Sequence, residues 1–144
     1  MLVRDLMSKD LVLADTNDTV FDVAKMMRHH NIGAVPVVAH GTQVLGMITD
    51  RDIVLNMAKE KFDPCRTFAS NIMSDKVYSV KPDVEVDFAL DLMRKQQIRR
   101  LPVIENEQLV GMLSIGDIAA SDKFNMEVSD ALTEISQPAA PENI

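Results

Sequence analysis

Apolar residues recur along this chain with two periods, and the periods alternate. After Thr19, residues Val20, Val23, Ala24 and Met27 stand at helical spacing, and Asn31 is suited to a left-handed cap after His29-His30. Two short apolar runs follow, over 34–39 and 44–48, separated by the turn-forming His40-Gly41. A short helical lead-in over 3–7, a strand over 11–13 and a helix running from Thr49 toward Lys59 complete a β-α-β-β-α order. That order then returns, as a strand over 77–80, a helix over 84–97 and strands over 101–105 and 109–113, with a helix from Ile115. Phe88, Leu92 and Met93 are expected on the inner face of the second long helix. Met26, Met27, Met93 and Met112, among ten methionines, read as adaptable core filler.

The residues repeat as well as the pattern. Asp5-Leu6-Met7-Ser8 returns as Asn71-Ile72-Met73-Ser74, and Val35-Pro36-Val37 as Leu101-Pro102-Val103, both at an offset of 66. Gly46-Met47-Ile48-Thr49-Asp50-Arg51-Asp52 returns as Gly111-Met112-Leu113-Ser114-Ile115-Gly116-Asp117 at an offset of 65, so one residue is lost near the Gly41 turn. A duplication implies two copies of one supersecondary unit, a pseudo-twofold axis and two related clefts. The chain divides into repeat 1 (1–58), a linker around Pro64 (59–68), repeat 2 (69–122), a C-terminal helix (123–136, with 126–135 helical) and a tail (137–144) expected to be disordered. Each repeat is too small to bury a sufficient core alone, so the two should share one.

Composition narrows the partners. A net charge of −7 argues against a general nucleic-acid surface, which needs clustered Lys and Arg. No apolar run reaches the roughly 20 residues that span a bilayer, and no signal peptide is visible. Cys65 is the single cysteine, which excludes an intrachain disulfide and suits a cytoplasmic location. His29, His30 and His40 make poor metal-ligand geometry, since adjacent helix positions point about 100° apart. No activated nucleophile, general base or metal cluster is evident, so no enzyme, required cofactor or metal is expected.

The chemistry lies in the doubled Gly-x-x-(Thr/Ser)-x-x-Asp. Gly46 and Gly111 let another backbone or a ligand come close. Thr49 and Ser114 stand where a helix opens with free N–H groups, a position that favours an anion. Asp52 and Asp117 follow one turn on, and a carboxylate there can accept both hydroxyls of a ribose diol. The same spacing is also a capping box, in which hydroxyl and carboxylate only satisfy the helix end. The pairing of two equivalent copies, each preceded by a Pro-Val strand, favours the nucleotide reading.

These residues, over about 3–54 and 69–119, resemble a tandem pair of CBS domains, a Bateman module. The resemblance implies an α/β (α+β) fold of two pseudo-twofold-related β-α-β-β-α units packed through their sheets. It implies a regulatory ligand of the adenine nucleotide or adenosyl class (AMP, ADP, ATP, NAD or S-adenosylmethionine), or alternatively cyclic di-AMP. It implies a homodimer that signals to a separate regulated protein. A ligand-free structural or interaction module stays open as the rival. By the family's composite sites, Asp117 and Ser114 would face Val12, Leu13, Ile32, Gly33, Ala34 and the Pro36 strand. Asp52 and Thr49, with Arg51, would face Tyr78, Ser79, Ile98, Arg99, Arg100 and the Pro102 strand. The Asp52 cleft thus gathers three arginines and is expected to hold phosphate more tightly. The Asp117 cleft has none in its own walls.

Overall fold

Local chemistry at the ends of α2 and at both strand-to-helix junctions helps set this fold. The computed structural model describes residues 1–138. A one-turn helix, α1 (Val3–Leu6), leads to a two-residue strand, β1 (Ala14–Asp15). Helix α2 (Val20–His30) is fixed at both ends. Thr19 Oγ1 accepts from Asp22 N–H at 3.1 Å while the Asp22 carboxylate accepts from Thr19 N–H at 3.0 Å, and Asn31 stops the helix at φ 53°. The Thr19 backbone N–H, then its hydroxyl, hold the Asp22 carboxyl below its ordinary pKa. Val20, Val23 and Met27 form the buried stripe. Strands β2 (Ala34–Ala39) and β3 (Gln43–Thr49) form a hairpin that opens into α3 (Asp50–Met57).

Repeat 2 follows the same plan: α4 (Ala69–Ile72), α5 (Val86–Gln96), β4 (Arg100–Glu105), β5 (Gln108–Ser114) and α6 (Ile115–Ala119). Helix α7 (Asn125–Ile135) closes the described chain. The sheets have the orders β1-β2-β3 and β4-β5, and they meet through β3 and β5. The register repeats, with Val37 opposite Gly46 and Val103 opposite Gly111, each followed by a bulge. The residue lost between the copies lies in the hairpin turn. Three residues, 40–42, separate β2 from β3, against the two-residue Asn106-Glu107 turn, with φ of 51° and 65°. The extra Thr42 ties the halves together: its N–H and Oγ1 both donate to Gln108 Oε1, and its carbonyl accepts from Leu109 N–H.

Three expectations are corrected. The strand expected over 11–13 is displaced to Ala14–Asp15, parallel to Val37 and Val38, and the one over 77–80 contracts to a single bridge between Val80 and Val103. Both stop for one reason: the next partner along is Pro36 or Pro102, which has no N–H to continue a ladder. Phe88 is 59% exposed, because the inward stripe of α5 is Val86, Ala89, Leu90 and Met93, and position 88 falls on the opposite side of the helix. The expected tail over 137–144 lies, from residue 139 on, outside the described residues.

The cores do not follow the repeat boundaries. Val3, with Leu6 and Met7 packed alongside, belongs to the core of repeat 2 with Val86, Met93, Leu101 and Leu113. Ala69, with Ile72 and Met73, belongs to the core of repeat 1 with Val23, Val35 and Ile48. The lead-in segments are therefore exchanged. Ser8 pairs with Met112 of β5 through bonds of 2.8 and 2.9 Å, and Ser74 pairs with Met47 of β3 at the same two distances. The glycines make room for this approach. A Cβ on Gly46 would stand 2.5 Å from Met73 Sδ and 2.7 Å from the Ser74 carbonyl oxygen; on Gly111 it would stand 2.6 Å from Met7 Sδ and 3.0 Å from the Ser8 carbonyl oxygen. Helix α7 covers repeat 2, burying Val128 and Ala131, and Glu134 accepts from Arg94 of α5 at 3.0 Å while Arg94 also pairs with Asp91.

Two outcomes are expected. Gly46→Ala should lower stability by about 1–3 kcal/mol, because the new methyl meets backbone. Gly116→Ala, whose Cβ would find its nearest neighbour at 3.5 Å, should be neutral or raise stability by up to about 1 kcal/mol; thermal melts of both variants check this. The second concerns pH. Hydrogen bonds from Arg94, then Lys95, hold the Asp91 carboxyl below its ordinary 3.8. A depressed carboxyl stabilises the fold at pH above its unfolded value and loses that stabilisation as pH falls through the folded one. The melting-temperature deficit of Arg94→Ala should therefore be present at pH 7 and shrink as the buffer is taken below pH 3.8.

Candidate functional site

Both doubled motifs fold as caps. Thr49 Oγ1 accepts from Asp52 N–H at 3.1 Å and the Asp52 carboxylate accepts from Thr49 N–H at 2.9 Å. Ser114 Oγ accepts from Asp117 N–H at 3.0 Å and Asp117 Oδ2 accepts from Ser114 N–H at 2.9 Å. A second device anchors each junction: Asp50 N–H donates to the Gly33 carbonyl and Ile115 N–H to the Arg99 carbonyl, both at 2.9 Å. The capping role is thus real. It uses one carboxylate oxygen, and no protein group among the described residues bonds Oδ1 of Asp52 or Asp117.

A cavity of about 230 Å³ opens beside Asp117. Repeat 2 supplies Ser114, Asp117, Met112, Leu113 and Arg100 to its wall. Repeat 1 supplies Val12, Ile32, Ala34 and Pro36 opposite, and the crossing segment adds Ser8 and Asp10. The lining is mixed on both sides: Met112 and Leu113 stand with Ser114, Asp117 and Arg100 of repeat 2, and Ser8 and Asp10 with the apolar Val12, Ile32, Ala34 and Pro36 of repeat 1. The exchange described above contributes to this lining, because Ser8, bonded to Met112, stands with it in the cavity wall.

The remaining expected residues have varied surroundings. Leu13 and Gly33 are half-buried and do not line the cavity; a Cβ at Gly33 would stand 2.9 Å from Asp50 Oδ2. Arg100 lines it, beside its ladder partner Ser114, which corrects the expectation of an Asp117 cleft without arginine. Around Asp52, Thr49 is half-buried like Asp52 itself, while Arg51, Ser79 and Arg99 are exposed. Tyr78 and Ile98 pack on the repeat 2 core, and Pro102 is buried in β4 opposite Met112. Lys76 stands 5.7 Å from the centre of the Tyr78 ring. Sequence reasoning missed Ser8, Asp10, Met112 and Leu113 as lining residues. Ser8 carried a signal, its place in the doubled Met-Ser; Asp10 carried none.

Among the described residues, no three His, Cys, Asp or Glu side chains are grouped to hold a metal ion, and no helix is long and apolar enough to cross a membrane.

A family model of the CBS domain matches residues 3–59 and 69–122. The chain belongs to the CBS domain family. Its two matched stretches are the two repeats, so it is a tandem CBS pair. It is 38% identical over 134 residues to the CBS domain-containing protein YhcV of Bacillus subtilis, covering 93% of this chain and 94% of that one. It is 34% identical over 116 residues to hypoxic response protein 1 of Mycobacterium tuberculosis, covering 81% of each. Among solved structures, the CBS pair of protein MJ0100, in complex with 5′-methylthioadenosine and S-adenosylmethionine, superimposes with a TM-score of 0.76 at 29% identity, over 85% of this chain and 99% of that one. Hypoxic response protein I, with two coordinated zinc ions, gives a TM-score of 0.77 at 32% identity, over 83% and 98%.

Proposed function

We propose that this CBS pair is a non-catalytic regulatory module that takes an adenosyl compound in the cavity beside Asp117 and signals its presence to a separate protein. The observation that carries the reading is the composite lining: Val12, Ile32, Ala34 and Pro36 of repeat 1 share one cavity with Ser114, Asp117 and Arg100 of repeat 2. Val12, Ile32 and Pro36 offer apolar surface to a purine, and Asp117 Oδ1 is free to accept from a ribose hydroxyl. The MJ0100 pair, solved with two adenosyl compounds, supports that ligand class. A ligand seated there touches both repeats, so it stabilises whichever arrangement of the two closes on it, and a partner can read the difference. A cytoplasmic location suits Cys65, which is free and exposed.

We also propose a homodimer. Val54, Leu55 and Met57 on α3 are each more than half exposed, an apolar run that a second copy would cover. The CBS-CP12 protein, 28% identical to this chain, is described as hexameric, so a CBS-containing relative does self-associate.

Titration calorimetry with adenosine, AMP, ATP, S-adenosylmethionine and cyclic di-AMP tests the first reading. At least one adenosyl compound should bind, and Asp117→Asn should weaken it about 10–100-fold, because the amide keeps one acceptor for the Ser114 cap and loses the other. Failure of every compound to bind would leave the structural module as the better reading; binding of cyclic di-AMP alone would redirect the ligand class. Light scattering tests the second: the native chain should have twice the mass of the 16.0 kDa protomer, and Leu55→Glu should halve it without lowering the melting temperature of the protomer fold.

A further inference from the structure

We propose that the open α2–α3 face of repeat 1 receives an acidic amphipathic helix presented by the regulated protein, with Arg28 as its charged anchor. This rests on the reading of the chain as a module that signals to a separate protein. The duplication supplies the comparison. In repeat 2 the corresponding face, made by α5 and α6, is covered by α7. The covering helix turns Phe124, Val128, Ala131 and Ile135 toward the core of repeat 2, a spacing that forms one stripe. Its charges are Glu127, Asp130 and Glu134, with no Lys or Arg. The Glu134 carboxylate accepts from Arg94 at 3.0 and 3.2 Å, and Gln97 Nε2 donates to the Glu134 carbonyl.

Repeat 1 keeps the receiving residues and lacks the cover. At an offset of 66, Arg28 stands where Arg94 does, Met27 where Met93 does and Asn31 where Gln97 does. Arg94 is half-buried beside α7, whereas Arg28 is exposed and has no carboxylate within ion-pair distance among the described residues. At an offset of 65, Ile118 is fully buried in α6 while its equivalent Ile53 is only half-buried, and α3 fully buries no residue. Val54 and Leu55, 67% and 56% exposed, occupy the places of Ala119 and Ala120. Repeat 1 thus presents larger apolar side chains than the face that α7 covers. Beside them the last turn of α2, Arg28-His29-His30, carries no carboxylate. An acid on the incoming helix complements that turn as Glu134 complements Arg94. The second copy proposed above covers the same α3 run, so helix and second copy compete for it.

A labelled synthetic peptide with the sequence of residues 123–137 is the probe, because it carries the apolar stripe and the acid that fit the equivalent face. Added to the full native chain, whose own α7 stays on repeat 2, it should bind saturably in fluorescence anisotropy. Arg28→Glu in the chain should weaken it at least about tenfold, and Glu134→Arg in the peptide should restore most of that loss. Arg28 is exposed, so its replacement leaves the fold intact, which a thermal melt checks. By light scattering, the saturated sample should weigh one protomer plus one peptide. Absence of saturable binding would overturn the inference. So would binding that is lost with Arg94→Glu and kept with Arg28→Glu, since the peptide would then be exchanging with α7 on repeat 2. A saturated sample that still weighs two protomers would also overturn it. The adenosyl titrations above succeed or fail independently of this result, so failure of the ligand reading and failure of this surface are told apart.

Discussion

The contact on which this structure depends is the backbone pairing of a Met-Ser segment against a glycine of the opposite repeat. Ser8 lies against Met112 beside Gly111, and Ser74 lies against Met47 beside Gly46. Glycine is required there by distance, since a Cβ would stand 2.5–3.0 Å from a methionine sulfur and a serine carbonyl oxygen. Each pairing delivers apolar residues into a core that its own repeat does not occupy: Val3 to one, Ala69 to the other. Burying a valine side chain is worth about 1.5–3 kcal/mol, so the exchange is energetically substantial. It also explains how two units of about fifty residues hold together, since neither completes its hydrophobic interior alone.

The same pairing places the chemistry. Ser8 is fixed by two hydrogen bonds, and Asp10, two residues later, lines the same cavity as Asp117. Val12 follows on the way to β1 and lines the opposite wall. A segment of five residues therefore crosses the site while joining one half to the other. Whatever binds there lies on the linkage between the halves.

Much of this was legible in the amino-acid order, and the illegible part has identifiable causes. Helix α2 was readable because Thr19, the 3–4 spacing of Val20, Val23 and Met27, and Asn31 all state the same element. The hairpins were readable to within a residue or two, including the shorter second turn. Strand β1 and its counterpart were misread because apolar runs at 11–13 and 77–80 satisfy strand propensity, while the limit on pairing is a proline in a different strand. The exchange was invisible because Val3 and Leu6 have the same apolar faces whichever core receives them. Arg100 was assigned to the Asp52 cleft by the family's composite sites; its ladder partner Ser114 brings it to the cavity beside Asp117. Cap and ligand site were posed as rivals for Asp117, yet a carboxylate has two oxygens and the cap occupies one.

The exchanged lead-ins carry a consequence for ancestry. Only residues 9–13 separate Ser8, docked on β5, from Ala14, docked on β2. That span ties one half to the other, so a single unduplicated copy with this connectivity would reach for a core it did not possess. Such a copy could complete its interior only against a second, identical copy, by exchanging its first turn of helix. With both copies carried in one chain, positions such as Asp10 and Lys76 are free to differ.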